Sequence, residues 1–220
     1  MNILYSLVFI SASMSVYAQL NQLDWLFIIF KPLTTILIIV ALTMYANRRQ
    51  PRYYRTVLAG LIACLLGDVF LLNDNYFIFG LGAFLIAHLL FCYSFITLGG
   101  FKFYLIPLLI LVAISTSFYL YLLPTLGSFA TPVAIYNSVI VLMVWQGVSL
   151  VIKHKNSVTR CVAVAVVLFM ISDAVIALDK FVVGFSWSSA IILPLYWLSI
   201  SMLSYSAIIV RQGAQRNSLR

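Results

Sequence analysis

The chain is written in long apolar runs separated by short polar breaks. A membrane-spanning helix needs ~20 mostly apolar residues, and eight runs qualify, near residues 2–19, 25–46, 56–73, 76–98, 103–123, 131–152, 160–179 and 187–210. The breaks between them are QLNQLD, NRRQPRYYR, ND, GGFK, PTLGSFAT, KHKNSVT and DKFVVGFS, each carrying turn formers or charge. No soluble domain or low-complexity linker is left over. The pattern predicts an all-α membrane protein, one polytopic domain over residues 1–220 folded as a bundle of about eight transmembrane helices. Any chemistry must then be built inside the bundle or at its rims.

Composition narrows the class. With 64% hydrophobic and 8% charged residues and a mean hydropathy of +1.11, 220 residues cannot fold as a soluble domain. The expected location is a multi-pass integral position, in the inner membrane of a bacterium or an endomembrane of a eukaryote. Thirteen Lys and Arg against five acidic residues leave a formal charge of +8. Such a balance can signal nucleic acid, but here the basic residues sit in the breaks, and no nucleic-acid motif accompanies them. The lipid bilayer is the expected partner and nucleic acid is not.

Charge also orients the bundle. If eight helices alternate, Arg48, Arg49, Arg52, Arg55, Lys102, Lys153, Lys155, Arg160, Arg211, Arg216 and Arg220 all fall on one side. The positive-inside rule makes that side cytoplasmic, which predicts an N-in/C-in topology. Lys31, Lys180 and all five aspartates, Asp24, Asp68, Asp74, Asp173 and Asp179, fall toward the other side. The first apolar run ends in VYAQ, a small-residue pattern resembling a signal-peptide cleavage site. It lacks the basic segment that should precede one, so it is read as a retained helix. Cleavage would leave seven helices, each in the same orientation.

Candidate chemistry lies in a polar layer within the apolar runs. In the third and seventh helices an Asp follows a cytoplasmic-end arginine by the same 13 residues, Arg55 to Asp68 and Arg160 to Asp173. Both carboxyls should therefore sit ~20 Å up from that end, at a common level. Counting from the opposite end places Lys31 and Asn137 near that level, Tyr196 a little deeper, and His88 deeper again. An ionisable group at this depth costs at least ~2.5 kcal/mol and normally faces a partner inside the bundle. Lys31 can pair with one aspartate as a structural clasp. One lysine cannot neutralise two carboxylates, so the second is expected to be protonated or to face water. Two carboxyls in unequal settings suit a general acid with an electrostatic stabiliser, and Asp68 and Asp173 are expected to act as one unit. Proton-coupled transport uses buried aspartates in the same way.

The remaining polar residues are read more plainly. His88 lies on a stripe with Gly80, Phe84 and Cys92, where it is either a hydrogen-bonded packing residue, a proton carrier or a partner of Asp68. Ala59 with Ala63, and Ala83 with Ala87, give small-residue spacing for close helix approach. Trp145 is expected to pack in the inner half. The prolines at 32, 107, 124, 132 and 194 are read as lying mostly toward helix ends. Cys64, Cys92 and Cys161 lack CxxC spacing and read as packed thiols, and no group of His, Cys and Asp has metal-ligand spacing.

Five pieces in order cover the second to seventh helices: FKPLTT with Lys31 and Pro32, LLGDVFLL with Asp68, GLGAFLIAHLLF with Gly82, Phe84 and His88, VLMVWQG, and LFMISDAVIALDKF with Asp173. Together they resemble the YhhN-like lysoplasmalogenase family of membrane proteins. The resemblance implies hydrolysis of the vinyl-ether bond of a lysophospholipid, the lysoplasmalogens, to a fatty aldehyde and glycerophosphoethanolamine or glycerophosphocholine, with no cofactor; the lack of metal-ligand spacing predicts that no metal is needed either. Asp68, Asp173 and His88 are then the candidate catalytic residues, with Lys31, Asn137 and Tyr196 binding or supporting. The chemistry of the residues agrees with this. Enol-ether hydrolysis begins with protonation of a carbon, suited to a buried carboxylic acid, and passes through an oxocarbenium ion that a carboxylate stabilises. The substrate headgroup is expected at the rim near Asp74, Asp179, Lys180 and Trp187. The alternative is a small proton- or cation-coupled transporter, whose inverted repeats are not evident. Headgroup preference and oligomeric state are left open by the sequence.

Overall fold

The structure, a computed structural model, describes residues 2–46, 51–185 and 187–217, the side chains of Asn2 and of 211–217 excepted. Arg48, Arg49 and Arg220 of the basic clusters lie outside the described residues, as do the side chains of Arg211 and Arg216. Eight α-helices follow in order: α1 (Asn2–Leu20), α2 (Asp24–Tyr45), α3 (Pro51–Phe70), α4 (Phe77–Gly99), α5 (Leu105–Leu126), α6 (Ala130–Lys153), α7 (Ser157–Phe181) and α8 (Ser189–Asn217). Short 3-10 turns precede α4 (Asp74–Tyr76) and α6 (Gly127–Phe129), and no strand occurs among the described residues. Among the described residues, seven stretches are long and apolar enough to cross a membrane. One of them, Leu105–Lys153, is 49 residues long and would measure ~73 Å as a straight helix, against a ~30 Å hydrocarbon core. It contains α5 and α6, which reverse at Gly127, where φ is 50°, and pack on each other. The chain is a multi-pass integral membrane protein.

Local signals explain the helix ends that differ from the hydropathy pattern. α3 begins at Pro51, five residues ahead of the apolar run, because proline's fixed φ and missing N–H suit the first turn. It stops at Phe70 because the chain turns through Leu71–Asn73, and the Asn73 side chain then accepts the Asn75 N–H at 2.9 Å to open the next turn. α7 starts at a capping box. Asn156 accepts the Thr159 N–H at 2.9 Å while the Thr159 hydroxyl accepts the Asn156 N–H at 3.3 Å. α8 runs on to Asn217, past the expected end at 210. Pro32 lies well inside α2, not toward its end; it removes one backbone donor one residue after Lys31.

Six helices form a ring in the order α2, α3, α4, α6, α7, α8, closing back on α2. α1 packs outside on α2 and α8, and α5 outside on α6 and α7. The tightest pairs are α3 with α4 and α7 with α8. Close approach of α3 and α4 comes from glycine more than from the expected alanines. A Cβ on Gly60 would meet the Phe91 ring at 2.5 Å, and one on Gly67 the Phe84 ring at 2.5 Å. Ala63, Ala83 and Ala87 are buried in the same seam, whereas Ala59 is only half-buried. At the basic end, the Trp145 Nε1–H donates to the Tyr104 carbonyl at 2.9 Å and Gln146 spans the backbone of Lys102, which together fix the α4–α5 connection.

Candidate active site

Stripes at helical spacing aim the polar side chains into the ring. α4 buries Gly80, Ala83, Phe84, Ala87, His88 and Phe91, and α7 buries Val162, Ala165, Val166, Phe169, Ser172 and Asp173. The Ser172 hydroxyl donates to the Ile192 carbonyl at 3.0 Å, locking the rotation of α7 against α8. These contacts place Asp173 in the interior beside α4 and α6, where three residues converge. The Tyr136 hydroxyl donates to Asp173 Oδ2 at 3.0 Å. His88 Nε2 stands 3.4 Å from the same oxygen, yet it is not aligned as a hydrogen bond, and neither imidazole nitrogen has a hydrogen-bond partner. His88 is fully buried, its ring edge-on to Phe169 at 4.6 Å and Tyr136 at 5.3 Å.

Asp68 belongs to a second cluster, shared by α2, α3 and α8. Its Oδ2 accepts the Thr35 hydroxyl at 2.5 Å and the Tyr196 hydroxyl at 2.9 Å. The Trp197 Nε1–H in turn donates to Thr35 Oγ1 at 3.3 Å. Asp68 is 1% exposed and Asp173 is 9% exposed. An aromatic wall separates the clusters: Phe84, Phe169 and Tyr196 meet edge to face, with centroids 5.5–6.3 Å apart.

Several expectations are corrected by this geometry. Lys31 forms no ion pair with either aspartate among the described residues; its Nζ donates to the Leu71 carbonyl at 3.5 Å and lies 5.4 Å from the centre of the Phe27 ring. Leu71 follows the last residue of α3, so the ammonium meets the negative end of that helix and a carbonyl the helix leaves free. His88 approaches Asp173 and not Asp68, and it stands level with that carboxyl instead of deeper. The reason is that Cα–Cβ bonds lean toward a helix's N-terminus. α4 and α7 run in opposite directions, so the two side chains lean toward each other. The same lean lets Tyr196 of α8 reach Asp68 of α3.

A cavity of about 320 Å³ lies beside Asp173, between α4, α5, α6 and α7. That is within the range of small-molecule sites. Tyr136, Asn137, Asp173 and Phe84 line it, and Asp68, His88, Lys31 and Tyr196 do not. Asn137 is half-buried and donates through Nδ2 to the Ser115 carbonyl of α5 at 3.2 Å. At one end, Phe77 and Phe181 close the cavity beneath the Lys180–Asp74 ion pair of 2.7 Å. Elsewhere on that rim, Asp179 accepts the Phe185 N–H at 3.1 Å and Trp187 is exposed.

Sequence reasoning missed Tyr136, Thr35 and the aromatic wall. Tyr136 adjoins Asn137, but the choice between neighbours on a helix depends on rotation, which the buried positions Val133, Ile140 and Val144 would have fixed. Thr35 is four residues from Lys31, on the same face of α2.

A polytopic helical protein with two buried carboxyl clusters, one opening on an apolar cavity inside the membrane span, is the class that fold and site define. The chain belongs to the YhhN family, whose model matches residues 26–207. It is similar to lysoplasmalogenase TMEM86A of Bos taurus, 30% identical over 165 residues, which covers 72% of this chain and 68% of that protein. Human lysoplasmalogenase TMEM86A is 28% identical over 169 residues, 74% of this chain and 69% of its own. Rat lysoplasmalogenase TMEM86B is 29% identical over 157 residues, 70% of this chain and 63% of its own. No solved structure matches the chain.

Proposed function

We propose that this protein is a membrane-embedded hydrolase that cleaves the vinyl-ether bond of lysoplasmalogens, by acid catalysis from Asp173. The observation that carries the reading is a carboxyl lining an apolar cavity in the bundle, in a chain whose relatives are named lysoplasmalogenases. Both protein contacts of Asp173 fall on Oδ2, which leaves Oδ1 free to exchange a proton with a bound substrate.

In its acid form Asp173 gives that proton to the vinyl carbon remote from the ether oxygen, and the double bond becomes an oxocarbenium ion. The carboxylate so formed lies beside the cation and stabilises it. Water adds to the cationic carbon, giving up a proton to Asp173, and the hemiacetal collapses to the fatty aldehyde and the glycerophospho alcohol. The Tyr136 hydroxyl, donating to Oδ2, stabilises the carboxylate stage. His88, whose Nε2 stands 3.4 Å from that oxygen and whose nitrogens have no hydrogen-bond partner, exchanges the proton with Asp173 as the hemiacetal breaks down. Asp68 does not line this cavity; it is a positioning residue that fixes Tyr196, and through it the wall of Phe84 and Phe169. Lys31 tethers α2 to the end of α3, and Asn137 holds α5 against the cavity.

In the same reading all eight helices cross the membrane as one domain with both termini cytoplasmic, so the rim bearing Asp74 and Lys180 faces the opposite side. Purified protein in non-ionic micelles should release aldehyde from 1-alkenyl lysophosphatidylethanolamine and none from the saturated 1-alkyl ether. Release from neither, by protein that is folded, would overturn the hydrolase reading and move proton-coupled transport to first place.

A further inference from the structure

We infer that Lys180 anchors the substrate's phosphate, and that its spacing from Asp173 along α7 sets which bond reaches the acid. The inference rests on the ether-hydrolase reading of the same site. Lys180 and Asp173 are seven positions apart on one helix, which is two turns. They therefore share nearly one face and are separated by ~10 Å along the axis. Ile176 and Ala177, between them, both line the cavity.

The lysine stands where the cavity ends. Its Nζ is 5.1 Å from the centre of the Phe77 ring, and Phe77 closes the cavity together with Phe181 and packs on Phe129 at 5.8 Å. Its present partner is Asp74, whose side chain is 91% exposed against 35% for the lysine. So exposed an ion pair is weakly held, and a phosphate diester presents the same charge with two oxygens to a three-donor ammonium.

The substrate's dimensions fit this spacing. Seven bonds separate the phosphorus of a 1-alkenyl lysophospholipid from the vinyl carbon that takes the proton, and an extended chain of seven bonds covers roughly 8 Å. Adding one ammonium–phosphate contact and one carboxyl–carbon contact, and allowing for side chains that lean back along the helix, bridges the two-turn interval. A lipid held by its phosphate at Lys180 presents the vinyl ether at Asp173, with its chain among the apolar residues beyond.

The test compares 1-alkenyl lysophospholipid with 1-alkenylglycerol of the same chain, which lacks the phosphate. In wild type the ratio of kcat/KM for the two should favour the phospholipid. Lys180→Met should lower that ratio about tenfold, and Lys180→Arg should retain most of it. Asp74→Asn, which removes the competing carboxylate, should raise it. A ratio unchanged in Lys180→Met, or losses equal on both substrates, would overturn the anchor and leave the lysine a pin between α7 and the Asp74 turn. Binding of the uncleavable 1-alkyl lysophospholipid and 1-alkylglycerol, read by tryptophan fluorescence, separates this from the hydrolase reading. If wild type releases no aldehyde but its binding preference for the phospholipid disappears in Lys180→Met, the anchor stands and the activity falls. Millimolar inorganic phosphate should not displace the bound ether lipid. Displacement at that concentration would mark a site for free anions and overturn the assignment to a lipid headgroup.

Discussion

A carboxyl at membrane depth is costly unless its oxygens are supplied with donors, and the two in this protein are supplied differently. Asp68 takes two hydroxyl hydrogen bonds on one oxygen, from groups that do not line the cavity, and so ties α2, α3 and α8 together. Asp173 takes one, and is open to the cavity. Replacing each by asparagine keeps the volume and removes the proton that can be given away, so the two variants should fail in different ways. Asp173→Asn should lower kcat for aldehyde release by about 10²-fold or more with an unchanged melting temperature. Asp68→Asn can still accept both hydroxyls on its amide oxygen, but it gives up the hydrogen bonds to a carboxylate for neutral ones and sets an N–H₂ donor at the Oδ1 position, at a cost of about 1–3 kcal/mol. It should show first as a lowered melting temperature, with a smaller loss of kcat than Asp173→Asn. Equal losses of kcat in two equally stable variants would instead mean that both carboxyls take part in the chemistry. His88→Gln tests the proton relay: near-normal kcat would return the imidazole to packing against Phe169 and Tyr136.

Helices carry these residues, and the seam between α3 and α4 is where an element's packing reaches the site. Gly67 leaves room for Phe84, which belongs both to the cavity and to the wall in front of Asp68; Gly60 leaves room for Phe91, two helical turns away from it. Valine at either position overfills the seam by a similar amount, worth about 1–3 kcal/mol. Gly67→Val should in addition lower kcat/KM, because the displaced ring borders the cavity, whereas Gly60→Val should lower the melting temperature with a smaller loss of activity. Thermal melts and aldehyde release on the same preparations check both. Much of this element structure was legible in the sequence, since each apolar run is a helix and both aspartates sit inside one. What was not legible depends on partners. Opposite charges pair Lys31 with a carboxylate in the sequence, but its contact is decided by where α3 ends, and the Leu71 turn places that end at Phe70, earlier than hydropathy does. Counting residues sets His88 too deep, because a count locates a Cα and ignores the lean of the side chain. Glycine seams are not legible in sequence because a glycine's role depends on which ring lies opposite, and only the neighbouring helix supplies that.

At the scale of the molecule, a ring of six helices encloses both polar clusters, while α5 closes the cavity from outside, so the site is built where the bilayer excludes water and a lipid chain can be accommodated. Alternating helices bring Arg52, Arg55, Lys153, Lys155 and Arg160 to one end of the bundle, all of them exposed, and Asp74, Asp179 and Lys180 to the other. In the proposed topology, basic residues in short connections are retained on the cytoplasmic side during insertion, and the cavity's Lys180 rim lies on the far side. The direction matters for function, because it decides which leaflet supplies the lysolipid. In a background with Cys64, Cys92 and Cys161 replaced by alanine, a single Lys155→Cys should resist a membrane-impermeant maleimide added to sealed cells and react once they are permeabilised. Asn75→Cys, in the turn that begins at Asp74, should react without permeabilisation in the plasma membrane of a bacterial host whose outer envelope has been removed. The reverse pattern would invert the bundle, place the Lys180 rim on the cytoplasmic leaflet and make that leaflet the source of substrate, with the arrangement of Asp173, Tyr136 and His88 around the cavity unchanged.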